Sequence, residues 1–560
     1  MTKQVKSRER VAEHGEVFTA EREVNAMLDL VKQETERVDS RFLEPACGDG
    51  NFVAEILRRK LEAAKKRATP PRKKKPLPLE FEKQSVIAVA SIYGVDLLID
   101  NVIACRQRLY DIWNAEYENI CKKEVSEDCR EAVRFILSRN IVCGNALSLK
   151  VVDEDGNDTD EPIVFSEWSF VMGTKMQRKD YRFDKLLAGE YEPKAASQKE
   201  YDRADDLETH AYELIHTTKP EGIFNMKFDV IIGNPPYQLS DGGHGASAIP
   251  IYQKFVTQAK KLQPRFLTMI TPSRWFTGGR GLNEFRDEMI HDRQIKVIHD
   301  FPDASECFPG VEIKGGVSYF LWEKGHDGDC EIYTHQNGHD VYSVRPLLEK
   351  GLDVFIRDSR KIEILHKVQA KNEPLFYDIM SANDPFGYDV RVENSYLRVK
   401  PDFKLKPFKG AAVFYYYGWR KDGVGYIDRS TARKGQEYID KWKLFIPRAW
   451  GSGSSGNDKL NAFVAGPNTL CTETYSVIGP FDTQEEAENV LSYINTKFFH
   501  FMVSIVKITQ AGAKHVYKFV PAQDFGHEWT DEMLFDKYGL SADEREFICN
   551  AVWPEGGIKE

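Results

Sequence analysis

The apolar run Phe228-Asp229-Val230-Ile231-Ile232-Gly233 ends in Asn234-Pro235-Pro236-Tyr237, and no other segment constrains the fold of this chain so sharply. A short, β-branched apolar run bounded by a turn reads as a buried strand. Two successive prolines fix φ and withhold N–H donors, so neither a helix nor a central strand can continue through them. The strand must therefore stop and present Asn234 and Tyr237 at its carboxyl end. In an open α/β sheet that end is where ligands bind.

The chain upstream repeats this pattern. Thr19 is placed to cap a helix carrying Val24, Met27, Leu28 and Val31 at helical spacing. Arg41 to Pro45 is strand-like and Gly48-Asp49-Gly50 is a tight turn, with a helix expected from about Asn51. Ile92 to Val95 ends in Asp96, Val102 to Tyr110 is helical, and Ile141-Val142-Cys143 ends in Gly144-Asn145-Ala146-Leu147. Further strands are expected at Phe266 to Ile270, Ile295 to Phe301 and Gly316 to Trp322. Strands alternating with helices predict a mostly parallel, doubly wound sheet of Rossmann-like α/β type. Two stretches interrupt it. Lys65 to Pro78 is rich in Pro, Lys and Arg and is excluded from a helix interior, and Val151 to Phe224 is long and polar, with Trp168 and Phe170 implying some packing.

The 560 residues suit two to four domains, and the net charge of -10 confines any nucleic-acid contact to a local patch. Leu397 to Leu460 is such a patch: 14 Lys and Arg against six Asp and Glu, with Phe414, Tyr415, Tyr416, Tyr417 and Trp419. The polar segment Met1 to Arg10 lacks a signal-peptide core and no run of 18 apolar residues occurs, so no membrane span is expected. Nine scattered cysteines, none in Cys-x-x-Cys, read as free cytosolic thiols with no metal site.

Three motifs carry chemistry. In Glu44-Pro45-Ala46-Cys47-Gly48-Asp49-Gly50 the glycines allow close approach of backbone to ligand, and the following helix start offers N–H groups. An ordinary strand-to-helix turn would look the same. Asp96 can accept from two ribose hydroxyls or simply cap the next helix; its place behind the glycine turn favours the ligand. At Asn234-Pro235-Pro236-Tyr237, the Asn side chain and the Pro235 carbonyl can hold the two hydrogens of a planar amino group and aim its lone pair at an electrophile. Tyr237 offers a face for stacking the ring that bears that group.

In this order the motifs resemble the gamma-class, N6-adenine-specific DNA methyltransferases of restriction–modification systems, over roughly residues 14 to 324. The resemblance implies methyl transfer from S-adenosylmethionine to adenine N6 in double-stranded DNA after base flipping. It assigns Asn234, Pro235, Pro236 and Tyr237 to catalysis. Phe308, in Cys307-Phe308-Pro309-Gly310, becomes the second aromatic against the target base. His14-Gly15-Glu16-Val17-Phe18-Thr19 resembles the segment that closes over the methionine part of the cofactor. Cofactor contacts are then expected at Phe18, Thr19, Glu44, Ala46, Gly48, Gly50, Asp96, Asn145, Ala146 and Phe255. Asn145 stands where the family usually has Asp. The resemblance also implies a cytoplasmic protein of a prokaryote, phage or mobile element, with a separate cognate endonuclease as a possible partner.

The expected division is a catalytic domain over 1–324, interrupted at about 62–80 and 151–224, and an α+β target-recognition domain over 325–560. Ala449-Trp450-Gly451-Ser452-Gly453 and Lys507-Ile508-Thr509-Gln510 resemble segments of the family's specificity domains. Pro302-Asp303 with Glu312-Ile313-Lys314 fits a loose nuclease pattern, but it brackets Phe308 and reads better as part of the methyltransferase core. A fused nuclease, a protein-glutamine or RNA methyltransferase, and a silent DNA-binding subunit remain as alternatives at this point.

Overall fold

The computed structural model describes residues 19–172, 175–190, 214–216, 226–239, 249–279, 281–311, 313–336, 338–349, 352, 354–388, 403–416, 424–448, 460–507 and 512–552. The chain forms two compact units, Met1–Glu349 and Lys350–Glu560.

The first unit is built on one large sheet. Its strands are β1 (Phe42–Glu44), β2 (Ile92–Asp96), β3 (Ile141–Asn145), β4 (Lys150–Val152) and β5 (Asp158–Pro162). A hairpin of β6 (Val164–Met172) and β7 (Lys175–Arg182), with β8 (Leu214–His216), makes a separate small sheet. Then follow β9 (Val230–Gly233), the short pair β10 (Gln238–Leu239) and β11 (Ile249–Pro250), β12 (Phe266–Pro272), β13 (Ile295–Phe301), β14 (Val317–Glu323), β15 (Cys330–Gln336) and β16 (His339–Arg345). Among the described residues the large sheet runs β16-β15-β13-β14-β12-β9-β1-β2-β3-β4-β5.

Strands β12, β9, β1, β2 and β3 are mutually parallel, and β14 lies antiparallel between β12 and β13. Leaving β1, the chain winds outward through β2 and β3; from β9 it winds the other way through β12. The sheet therefore changes direction between β1 and β9, and a crevice opens at their carboxyl ends. The helices Asn51–Ala68, Pro78–Ala90, Ile99–Cys121 and Glu127–Asn140 connect the first three strands, and their apolar faces supply Phe52, Leu57, Phe81, Val86, Leu109 and Val133 to one buried core.

Three local expectations need correction. Ala20, not Thr19, stands at the N-cap of Glu21–Asp29, and no side chain caps that helix. Lys65, Lys66 and Arg67 complete the helix Asn51–Ala68, where basic residues suit a carboxyl-terminal turn. Lys65 is tied to Glu62 and Glu116, each at 2.6 Å, and only the loop after Thr69 escapes the helix. The first unit also continues past Lys324, because β15 pairs with β13 and then with β16, extending the sheet.

The stretch after Lys150 has the packing expected at Trp168 and Phe170, and its described parts are integral to the first unit. Strands β4 and β5 extend the main sheet beyond β3. The β6–β7 hairpin packs on helix Glu127–Asn140, where Trp168 Nε1 donates to Asn140 Oδ1 at 3.0 Å. Tyr93 donates its hydroxyl to the Ser166 carbonyl at 2.9 Å, and Arg41 pairs with Glu167 at 2.5 Å.

The second unit is α+β. Strands β17 (Ala411–Tyr415), β18 (Val424–Asp428), β19 (Trp442–Pro447), β20 (Phe463–Ala465), β21 (Thr469–Cys471) and β22 (Tyr475–Phe481) form two three-stranded sheets. Helices Gln484–Ile494, Lys497–Ser504, Asp531–Lys537 and Ala542–Ala551 follow. Phe414 and Tyr416 are buried in its core, and Tyr415 packs on Phe445, Phe463 and Tyr475. These three rings are packing residues, not an exposed stacking surface. Tyr417, Trp419, Ala449 to Gly453 and Ile508 to Gln510 lie outside the described residues. No helix among the described residues is long and apolar enough to cross a membrane.

Candidate active site

The carboxyl ends of β1, β2, β3 and β9 converge on one cavity. It is lined by Thr19, Glu44, Ala46, Gly48, Asp96, Asn145, Ala146, Asn234, Pro236 and Phe255, all expected from the sequence. Pro45, Cys47, Asn51, Phe52, Leu97, Leu98, Asn101, Gly144, Leu147 and Ile251 complete the wall. The register sets Glu44 beside Gly94 and Asp96 beside Cys143, so the polar ends of neighbouring strands open at similar depth.

The glycine turn is stitched to β2. Cys47 donates its N–H to the Val95 carbonyl at 2.9 Å, and Gly48 donates to Asp96 Oδ2 at 2.8 Å. Gly48 and Gly50 have φ of 52° and 92°, in the left-handed region that favours glycine. Gly50 does not line the cavity. A Cβ there would meet Cys105 Sγ at 2.7 Å, so its role is to fix the turn and pack the following helix.

Asp96 combines the two roles the sequence left open. Its Oδ1 accepts from Leu98 N–H at 3.0 Å and from Asn101 Nδ2 at 3.1 Å, steadying the start of helix Ile99–Cys121, while its carboxylate borders the cavity. Glu44 is buried, at 3% exposed, and its Cγ lies 3.3 Å from where a Cβ on Gly233 would stand. Burial raises its pKa well above the usual carboxylate range, and the nearby Cys105, Asp96 and Asp49 add to the effect. Its Oε2 and the Thr19 Oγ1 are enclosed without a hydrogen-bond partner among the described residues. Enclosed polar atoms that face a cavity are suited to a polar ligand.

Asn145 closes the far wall. Its Oδ1 accepts from the N–H groups of Leu147 at 3.0 Å and Ser148 at 3.4 Å, and its Nδ2 donates to Asp158 Oδ1 at 3.0 Å. Two backbone donors therefore already occupy that oxygen. Phe255 comes from helix Tyr252–Lys261 and is 8% exposed.

The turn after β9 presents Asn234 and Pro236 to the cavity, whereas Pro235 is buried beside it. The Tyr237 ring is half-exposed, yet its hydroxyl is enclosed and has no partner among the described residues. Phe308 is fully buried and meets Tyr237 edge to face, with ring centroids 6.4 Å apart and planes at 81°. The two rings do not form a parallel slot, so a base could enter between them only if one ring turned. Asp303 accepts from Ser305 N–H at 2.9 Å and caps a short helical turn, while Glu312 lies outside the described residues, as does Phe18.

The missed wall residues had a faint signal. Leu97 and Leu98 directly follow Asp96, so that polar strand end is succeeded by an apolar wall. Asn51 is held by Arg108, which donates to its Oδ1 at 2.8 Å from another helix.

A doubly wound, mostly parallel sheet with the reversed strand β14 between β12 and β13, and a cavity at the β1/β9 reversal, define the Rossmann-like methyltransferase class. Residues 90–308 match the family model described as Eco57I restriction-modification methylase. Over 337 residues the chain is 31% identical to an adenine-specific methylase of Mycoplasma pneumoniae, itself uncharacterized, covering 57% of this chain and 69% of that protein. This chain belongs to that family, the adenine-specific methylases of restriction–modification type. Solved structures with similarity include the type IIL restriction-modification enzyme MmeI in complex with DNA, at 12% identity and TM-score 0.43, covering 90% of this chain and 68% of that one. A DrdV–DNA complex has 10% identity and TM-score 0.44, covering 98% and 58%.

Proposed function

We propose that this chain methylates N6 of adenine in double-stranded DNA, with S-adenosylmethionine as donor, at a specific site and as the modification arm of a restriction–modification system. The observation that carries the reading is the convergence of Glu44, Asp96, Asn145 and Asn234 on one cavity at the sheet's reversal. The cavity fits the cofactor's chemistry: a carboxylate for hydroxyls at Asp96, apolar walls at Leu98, Leu147 and Phe255, and enclosed polar atoms on Thr19 and Glu44. When bound, S-adenosylmethionine supplies a methyl group on a sulfonium leaving group.

The chain's own part is positional. Thr19, Glu44, Asp96 and Asn145 hold and orient the donor, and the Gly48–Asp96 link keeps the loop against β2. Asn234 Oδ1 and the Pro235 carbonyl accept the two N–H groups of the target amine, which turns its lone pair toward the donor. Pro236 keeps competing N–H donors out of that neighbourhood. Tyr237 stacks on the base, which must leave the duplex to reach it, at a cost of a few kcal/mol. Phe308 backs Tyr237 and would have to turn to reach the base directly. Residues 350–560 serve as target-recognition domain, and a separate cognate endonuclease would read the same DNA site.

The test is sequencing of modified bases in DNA from cells expressing the chain or its Asn234→Ala variant. N6-methyladenine confined to one short motif, and absent with the variant, is expected. Methyl transfer to protein or RNA but not to DNA would overturn the reading.

A further inference from the structure

We infer that the loop carrying Arg72, Lys73, Lys74 and Lys75 is a phosphate-binding surface that holds duplex DNA flanking the stretch whose base enters the cavity. The inference rests on the chain acting on DNA, and it gives a task to a basic, proline-rich stretch that the donor and target sites leave unused.

The loop begins where helix Asn51–Ala68 ends, and Leu77 closes it by donating its N–H to the Ala68 carbonyl at 2.8 Å. Within it, Lys73 N–H donates to the Pro70 carbonyl at 3.0 Å, and Thr69 Oγ1 donates back to the Lys65 carbonyl at 2.7 Å. Pro70, Pro71, Pro76 and Pro78 fix φ on both flanks. A stiffened turn, not a free tail, therefore presents the four basic residues, and little backbone freedom is left to lose on binding.

All four are exposed. Cations on the adjoining helix end are neutralised, Lys65 by Glu62 and Glu116 and Arg67 by Asp39 at 3.5 Å. Arg72, Lys73, Lys74 and Lys75 make no ion pair among the described residues. In a chain of net charge -10, four adjacent cations without acids set up a local positive potential that attracts a polyanion. Leu77 and Leu79 are exposed as well, but both come after Pro76, so no apolar side chain interrupts the four charges. A row of phosphates suits that uninterrupted run better than an amphipathic acidic peptide.

The position of the loop says which DNA it meets. Helix Asn51–Ala68 starts at Asn51, on the cavity wall, and its 18 residues span roughly 27 Å. A duplex that touches both cavity and loop must run for about eight base pairs or more between them. The loop thus grips backbone beyond the target base, and contacts to phosphate hold DNA without reading its sequence.

The experiment measures binding of random-sequence duplexes of about 12 and about 40 base pairs to the full-length chain, by fluorescence anisotropy, from about 0.05 to 0.3 M KCl. The variant combines Arg72→Gln, Lys73→Gln, Lys74→Gln and Lys75→Gln. On the longer duplex it should flatten the slope of log Kd against log salt by about 2 to 3.5, and weaken binding by about 10- to 100-fold at about 0.1 M salt. On the shorter duplex, which cannot span cavity and loop, affinity should stay within about threefold. Lys122→Gln with Lys123→Gln, which removes exposed cations elsewhere, controls for net charge, and thermal melting shows that the variants are folded. An unchanged slope on the longer duplex overturns the inference, as does an equal loss on both lengths or an equal loss per charge in the control. A wild-type chain that holds polyglutamate as tightly as DNA through these four residues overturns the choice of DNA as partner. A wild-type chain that binds neither duplex overturns the DNA reading itself.

Discussion

Gly48 donates its backbone N–H to the Asp96 carboxylate at 2.8 Å, so the turn after β1 and the end of β2 are one unit rather than two adjacent loops. Asp96→Ala removes this bond together with those to Leu98 and Asn101. Hydrogen bonds to charged groups are worth about 1.5–3 kcal/mol, so cofactor affinity should fall by roughly 10- to 100-fold. Calorimetric titration with S-adenosylhomocysteine checks this, and unchanged affinity would remove Asp96 from the ligand.

Asn234→Ala separates chemistry from binding. Single-turnover methyl transfer should drop by about 100-fold or more, as when one preorganised polar group is lost, while cofactor affinity stays within about threefold. A variant that kept a tenth of the wild-type rate would argue against amide-directed transfer.

Gly50→Ala should destabilise the first unit without touching the ligand. Its φ of 92° is costly for an L-residue, and the new methyl meets Cys105 Sγ at 2.7 Å. A loss of about 1–3 kcal/mol is expected from thermal or urea unfolding. Adding Cys105→Ala should restore the part due to the clash and leave the part due to backbone strain.

Lys60 provides a test against pH. It is fully buried in helix Asn51–Ala68, with Nζ donating to Ser91 Oγ at 2.6 Å, to the Val38 carbonyl at 3.2 Å and to the Ser40 carbonyl. Burial lowers its pKa from 10.5 to about 7. Below pH about 7 both folded and unfolded chains carry the proton, and the cost of burying the charge is fully present. Between that value and 10.5 the unfolded chain binds more protons, so this group makes stability rise with pH, by up to about 1.4 kcal/mol per pH unit. In Lys60→Met this contribution should vanish. Urea unfolding of both proteins from pH 6 to 10 would show it as wild-type stability rising relative to that of the variant above pH about 7, and parallel curves would refute it.

The polar strand ends were legible because each follows an apolar run: Glu44, Asp96, Asn145 and Asn234 could be placed on one rim from sequence alone. What escaped depends on distant partners. Nothing local to Phe308 reveals that it packs edge-on to Tyr237, and nothing near Asn145 reveals the carboxylate of Asp158. The aromatic row at Phe414 to Tyr416 looked like a binding surface because composition does not say which side of a strand faces inward; Phe414 and Tyr416 do. The basic run from Lys65 looked unsuited to a helix because its prolines come later, after the last turn has already formed.

The anchoring of the β6–β7 hairpin bears on how far this chain can be shortened. Trp168 donates to Asn140, Ser166 accepts from Tyr93 and Glu167 pairs with Arg41, so three positions around the main sheet are fitted to this segment. Excising the segment would take a partner from an amide, a phenol and a guanidinium at once. A chain shortened at this segment would therefore need coordinated replacements at 41, 93 and 140.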